Sequence, residues 1–282
     1  MITTRRLAWT ALIWNLIVIL LGALVRATGS GAGCGASWPT CEGVILPELE
    51  GATAIEFTHR ASSGIALLLL AWLIVRIFRT NHRGAPVRKA AVLSGVGILS
   101  ESLIGAVIVI FEWVENDASL ARAVSVPVHL VNTLILLAGL TLVVYWVDRD
   151  RSVQLDRPLT RPIFGFAIGM LLIAATGAVT ALADTLFPAE SVIEGIAEDF
   201  SATSSWLTRL RVLHPVVAIL IGIGAARWVR SNVWDVEGSA RTAARTVVAV
   251  VFIELVVGVV NVWTLTPIAV QLIHLLLADV LW

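Results

Sequence analysis

The chain has 282 residues, 58% hydrophobic and only 14% charged, with a formal net charge of zero and a mean hydropathy of +0.90. Average soluble domains carry about 25% charged residues, so a surface this poor in charge excludes an ordinary soluble enzyme, and the same composition excludes a disordered chain. Without net positive charge there is no basic face to release counterions from nucleic acid.

The apolar runs are continuous rather than alternating, which indicates spanning helices and not a barrel. In chain order they predict eight spans, at 7–25, 55–78, 89–111, 122–147, 160–183, 205–229, 241–263 and 267–282. Arg5 and Arg6 precede the first run, as in a signal peptide, but its apolar core exceeds the usual ~7–15 residues of such a segment. It is therefore read as a span. With the N-terminus inside, fifteen Lys and Arg fall on the inner side and five on the outer side, while the acidic residues gather outside. This bias places both termini in the cytoplasm.

The chain repeats itself once. Gly22-Ala23-Leu24-Val25 recurs as Gly177-Ala178-Val179-Thr180. Glu101-x-x-x-Gly105-Ala106-Val107 recurs as Glu254-x-x-x-Gly258-Val259-Val260. His59 corresponds to His214 and His129 to His274, with offsets of 155, 153, 155 and 145 residues across the four matches. The expected architecture is an all-α polytopic membrane protein built as two parallel-repeat four-helix bundles, residues 1–150 and 151–282. Gly22, Gly105, Gly177 and Gly258 would allow close helix approach.

Of the five histidines, His82 lies in an inner loop and reads as a solvated residue. The other four each fall within about nine residues of the outer end of an even-numbered span, ~14 Å at 1.5 Å per residue. Polar groups inside a membrane are costly and usually functional. Two histidines from facing helices suit bis-imidazole ligation of a heme iron, one heme per half, and no Cys-x-x-Cys-His for covalent attachment occurs. Structural or proton-relay histidines are the alternative. Beside the first histidine the halves differ: Glu56-x-x-His59-Arg60 against Arg211-x-x-His214-Pro215. Glu56 lies one turn before His59 on the same face, or else simply favours the helix start. This inequality suggests chemistry in one half and a held cofactor in the other.

At these residues the sequence resembles the heme A synthase family of the bacterial and mitochondrial type. The resemblance rests on Gly22-Ala23-Leu24-Val25-Arg26-Ala27-Thr28-Gly29-Ser30-Gly31, Trp38-Pro39-Thr40-Cys41 and Glu56-Phe57-Thr58-His59-Arg60, then on His129-Leu130-Val131-Asn132-Thr133, Leu213-His214-Pro215 and Gln271-Leu272-Ile273-His274. It implies oxidation of the C8 methyl group of heme O to the formyl group of heme A, for cytochrome oxidase assembly in a prokaryotic cell membrane. His59 and His129 would hold the substrate heme, His214 and His274 a heme b, and Glu56 would be the catalytic carboxylate. A heme O synthase and an unidentified electron donor or acceptor are the implied partners, beside the lipid bilayer. The acidic third outer loop, 184–204, departs from the family pattern. A non-enzymatic bis-histidine di-heme cytochrome is the rival reading, although it gives no reason for Glu56.

Cys34 and Cys41 are the only cysteines and share the first outer loop, an oxidising compartment where a disulfide is the natural state. The family pair is associated with the same disulfide. A structural staple and a redox role both stay open. Gly29, Gly31, Gly33 and Gly35 in this loop read as flexibility beside the site. Glu101 and Glu254 lie near mid-membrane, either functional or hydrogen-bonded between helices.

The outer arginines run against the charge bias. Arg60, Arg122 and Arg211 each lie on the face of a histidine or directly beside it, and Arg26 ends the first span. Arg offers bidentate hydrogen bonds to carboxylates, so Arg26, Arg60 and Arg122 would serve the propionates of one heme and Arg211 those of the other. The alternative is pairing with the acidic outer loops, and Arg209 fits that best.

Overall fold

The computed structural model describes residues 3–149, 157–234 and 238–282. Among these the chain is helical: α1 (Thr4–Ala27), α2 (Gly51–Thr80), α3 (Pro86–Ile110), α4 (Leu120–Trp146), α5 (Arg157–Leu186), α6 (Val192–Asp199), α7 (Trp206–Leu210), α8 (Leu213–Asn232), α9 (Ser239–Trp263) and α10 (Ile268–Leu281). Seven helical stretches are long and apolar enough to cross a membrane, one of them Trp206–Asn232, assembled from α7 and α8. The eighth, Ile268–Leu281, is apolar but has only 14 residues. Leu68, Leu103, Phe252 and Val259 are each 66–71% exposed on these helices. Apolar side chains facing outward on every span suit lipid rather than water. The chain is a multi-pass membrane protein.

Two compact units divide it, Met1–Leu155 and Asp156–Trp282. The expected boundary between residues 150 and 151 lies outside the described residues. In the first unit α1 packs on α2 and α4, α2 on α3, and α3 on α4, closing a ring of four helices. Their ends follow local chemistry. The Thr3 hydroxyl accepts from the Arg6 N–H to cap α1, the Ser119 hydroxyl accepts from the Arg122 N–H to cap α4, and Pro86 opens α3. The α3–α4 contact is the tightest. A Cβ on Gly97 would lie 3.0 Å from Leu136 Cβ, and one on Gly139 would lie 2.7 Å from Ser94 Oγ and 3.1 Å from its nitrogen. Trp14 on α1 donates from Nε1 to the Ser62 carbonyl on α2 at 2.9 Å.

In the second unit α5 packs on α7 and α8, α8 on α9, and α9 on α10. The sixth expected span is interrupted at Arg211 and Val212, which the apolar pattern did not show. Pro215 is the cause: it has no N–H to return to the Arg211 carbonyl, and its ring crowds that carbonyl. The Thr180 hydroxyl on α5 donates to the freed oxygen at 3.3 Å. The segment 184–204, read as an acidic loop, contains α6, capped by the Ser191 hydroxyl accepting from the Glu194 N–H. Eight residues are too few for helical periodicity to stand out in a sequence.

Because Gly139 faces the α3 backbone, Gly139→Val should lower the unfolding temperature of detergent-solubilised protein. Overpacking of this kind costs about 1–3 kcal/mol. Gly64→Val, at a glycine with nothing within 4 Å, should leave the transition where it is. Equal behaviour of the two variants would show that the α3–α4 contact does not limit stability.

Candidate functional site

In the first unit α2 and α4 carry His59 and His129, both near the end formed by the α1–α2 and α3–α4 connections. Each ring rests in a notch left by a glycine on a neighbouring helix. A Cβ on Gly22 of α1 would lie 2.9 Å from His59 Cε1, and one on Gly105 of α3 would lie 3.7 Å from His129 Cε1. The two imidazoles are close enough to interact electrostatically. Behind His129, Glu101 of α3 places a carboxylate oxygen 3.2 Å from Nδ1. Asn132 Nδ2 donates to Glu101 at 2.5 Å, and the Thr133 hydroxyl donates to its other oxygen. The Val18 carbonyl faces His59, short of an aligned hydrogen bond.

Above His59 lies the loop closed by the Cys34–Cys41 disulfide. Glu56 ties it down. One carboxylate oxygen accepts from the Cys34 N–H at 2.8 Å, and the other accepts from Arg60 Nε at 3.0 Å. Arg60 Nη1 then donates to the Ser37 and Thr40 carbonyls, at 2.6 and 2.8 Å, inside the disulfide ring. Both side chains are nearly buried, 4% exposed for Glu56 and 10% for Arg60. Glu56 therefore does not cap the start of α2, which was the alternative sequence reading. Nor are the loop glycines only flexible links. A Cβ on Gly33 would lie 2.6 Å from the Thr53 nitrogen, and Gly29 and Gly35 have φ of +65° and +60°. These conformations suit glycine.

The second unit repeats the histidine arrangement with different surroundings. Gly177 of α5 leaves the notch for His214, where a Cβ would meet the ring at 3.0 Å, and Gly258 of α9 does so for His274 at 3.5 Å. His214 Nδ1 lies 3.1 Å from the Ile173 carbonyl, and His274 Nδ1 lies 2.7 Å from Glu254 Oε2. The ring centroids of His214 and His274 are 6.2 Å apart, with planes at 76°. Two imidazoles on opposite sides of one metal, with metal–nitrogen bonds of about 2 Å, put their ring centres about 6 Å apart. The pair has that spacing.

All four imidazoles are half-buried. Among the described residues, no protein group is hydrogen-bonded to any of their Nε2 atoms. Nor do three or more His, Cys, Asp or Glu side chains gather around one point there for a bare metal ion. Two nitrogens from facing helices are what a planar macrocycle asks of a protein, since it supplies the other iron ligands itself. The residues of the second unit fit a heme by spacing, and the first unit repeats the same glycine-seated pair of imidazoles.

The outer arginines divide by their remaining donors. Arg211 uses all five N–H groups, on Asp184, Phe187 O, Gly195 O, Glu198 and Asp199. For Arg211 the structure shows the loop-pairing alternative, and the propionate reading gives way. Its acidic partners sit on and beside α6, so the guanidinium fastens that segment to the bundle. Arg60 retains one N–H. Arg122 donates from Nη1 to the Glu115 and Asp117 carbonyls and retains Nε and Nη2. Arg26 sits in the last turn of α1. The sequence did not point to the Ile173 carbonyl, and Asn132 and Thr133 stood there only inside the resembling segment, without their contact to Glu101. Only the spacing of Asn132 and Thr133, three and four residues after His129, offered a signal.

The family described as cytochrome oxidase assembly protein, COX15-CtaA, matches residues 5–54 and 49–282. A Thermus thermophilus protein named protoheme IX farnesyltransferase is 39% identical over 280 residues, 98% of this chain and 46% of that protein. The chain thus spans about half the length of that relative. A heme A synthase of Staphylococcus carnosus is 26% identical over 293 residues, covering 98% of this chain and 91% of its own length. A heme A synthase of Geobacillus thermodenitrificans is 35% identical over 182 residues, 62% of this chain and 56% of its own length.

Removing the buried Arg211 cation leaves its partly exposed carboxylate partners, Asp184, Glu198 and Asp199, without their shared counter-charge. Arg211→Ala should therefore open the 184–204 segment, seen as protease cleavage there at enzyme levels that spare the wild type. Unchanged protection would show that Arg211 does not hold the segment.

Proposed function

The chain belongs to the COX15-CtaA family of cytochrome oxidase assembly proteins, and from that membership we propose that it is a heme A synthase, oxidising the C8 methyl group of heme O to a formyl group. The observation that carries this reading is the pairing of four glycine-seated imidazoles with open Nε2 atoms, two in each unit. The relative named as a farnesyltransferase is matched over less than half its length, whereas a relative named heme A synthase is matched over 91%. That contrast favours oxidation over prenyl transfer for the segment in hand. It also supports a prenylating partner that delivers heme O, since the Thermus protein carries more than half its length outside the match.

The two halves divide the work as a parallel repeat, residues 1–150 and 151–282, with α10 as an eighth span. At 1.5 Å per residue its 14 residues reach about 21 Å. His214 and His274 hold a heme b, and His59 and His129 hold the substrate. Bound heme b supplies one-electron redox chemistry, while the protein supplies orientation and local electrostatics. Glu56 is the catalytic carboxylate, held by Arg60 and the Cys34 N–H, and would stabilise positive charge or move protons as the methyl group is oxidised. The disulfide loop, fastened by the same pair, covers the His59 end; the conversion removes four electrons and takes its oxygen atom from water or dioxygen. Arg122, with Arg60 and Arg26, receives the substrate's propionates, because Arg122 has three donors without a protein acceptor. The sites face the outer side of a prokaryotic cell membrane, with both termini in the cytoplasm and an electron donor or acceptor outside.

Pigment extraction after co-expression with a heme O synthase tests the reading. Heme A in the extract is expected; heme B alone would select the di-heme cytochrome. His214→Ala or His274→Ala should remove the resident heme b spectrum. His59→Ala or His129→Ala should leave most of it and abolish conversion. Equal loss of heme b in all four variants would overturn the division of labour.

A further inference from the structure

Each of the later histidines in the two units, His129 and His274, has a carboxylate against the nitrogen that faces away from the open space. Glu101 lies 3.2 Å from His129 Nδ1 and Glu254 lies 2.7 Å from His274 Nδ1. Each Nδ1 is buried, and the carboxylate is its close neighbour without the alignment of a full hydrogen bond; no other group bonds it. Both glutamates stand four residues before the glycine that seats the same ring, Gly105 and Gly258. One helical turn thus carries the notch and the carboxylate together. The earlier histidines have a backbone carbonyl in this role, Ile173 O for His214 and Val18 O facing His59.

The two carboxylates are not equivalent. Glu101 shares its oxygens with Asn132 and Thr133, three and four residues after His129. The corresponding positions after His274 are Leu277 and Ala278, which offer no side-chain donor. The Glu254 Oε1 atom is buried without a partner, and the buried Asp279, five residues after His274, also lacks a hydrogen bond. Among the described residues, His274 Nδ1 is the one cation-forming nitrogen within ion-pair distance of Glu254.

We infer that Glu254 is a positioning residue for His274, fixing the imidazole with Nε2 toward the open space and making that nitrogen a stronger donor to a bound iron, and that Glu101 does the same more weakly for His129. The inference rests on the proposal that His274 holds heme iron. A carboxylate behind a ligating histidine fixes the tautomer and ring orientation and raises ligand basicity, and loss of such a partner typically costs about 10–100-fold in metal affinity. Because Glu101 divides its acceptor capacity among three donors, its removal should perturb its ring less. A more basic ligand favours the ferric over the ferrous state, so the potential of the resident heme should depend on Glu254.

The test uses the full-length chain, purified with its resident heme, and reads heme content, midpoint potential and the low-spin electron paramagnetic resonance spectrum. Glu254→Gln keeps an acceptor of the same shape and should retain heme. Its midpoint should rise by about 59 mV for each tenfold loss of ferric preference, with altered g-values. Glu254→Ala removes the acceptor and should lower heme occupancy at limiting heme, and Glu254→Asp should recover part of both losses. Wild-type potential and spectrum in Glu254→Gln and Glu254→Ala, alongside loss of heme in His274→Ala, would overturn the positioning role while leaving His274 as ligand. Retention of heme in His274→Ala would instead overturn the ligand reading beneath it. Should Glu254→Ala fail to accumulate, the comparison of the Gln and Asp variants still decides.

Discussion

Four imidazole rings have to be accommodated between helices that are otherwise packed with aliphatic side chains, and the space comes from glycine. Gly22, Gly105, Gly177 and Gly258 each stand opposite one histidine, and at Gly22 and Gly177 an added methyl carbon would meet the ring at 2.9–3.0 Å. The rest of each site follows from this fit. A ring held against a neighbouring backbone loses rotational freedom, so what lies beside its buried second nitrogen is set locally. In each unit one ring turns its Nδ1 to a backbone carbonyl and the other to a glutamate. Among the described residues, no protein group is hydrogen-bonded to the remaining Nε2 atoms.

Polar anchoring is concentrated at the ends of the bundles, and the two units solve it differently. The first uses a covalent ring, Cys34 to Cys41, tied to α2 through Glu56 and Arg60. The second has no cysteine and uses Arg211, whose five donors gather two backbone carbonyls and three carboxylates around α6. Both devices are arginine-centred and close to the first histidine of their unit. In a low-dielectric setting such pairs are rigid once formed and costly to break on one side only.

The break at Arg211 belongs to the same logic. Pro215, directly after His214, prevents a continuous α-helix and turns the Arg211 carbonyl toward Thr180. The backbone around the histidine is therefore fixed from both sides, by α5 below and the α6 segment above. Nothing equivalent occurs before His59, where α2 is continuous and the disulfide loop supplies the covering layer.

The sequence by itself determined the class of the protein and which polar residues stand out along its spans. Apolar runs of spanning length gave the helices to within a few residues, and the recurrence of glycine, glutamate and histidine at matched offsets singled out the four rings. These features are legible because each is local or strictly periodic. Partner choice is neither. The same Arg211 could face a propionate or an acidic loop, and only the approach of Asp184, Glu198 and Asp199, up to 27 residues away, decided for the loop. Glu56 could cap its own helix or reach across to Cys34, and the fold of the intervening loop decided for Cys34. Glu101 and Glu254 looked like a matched pair in sequence, but Asn132 and Thr133 satisfy one and nothing comparable reaches the other. Hydrogen bonds are settled by geometry within about 3 Å, and that distance exists only once the helices have packed.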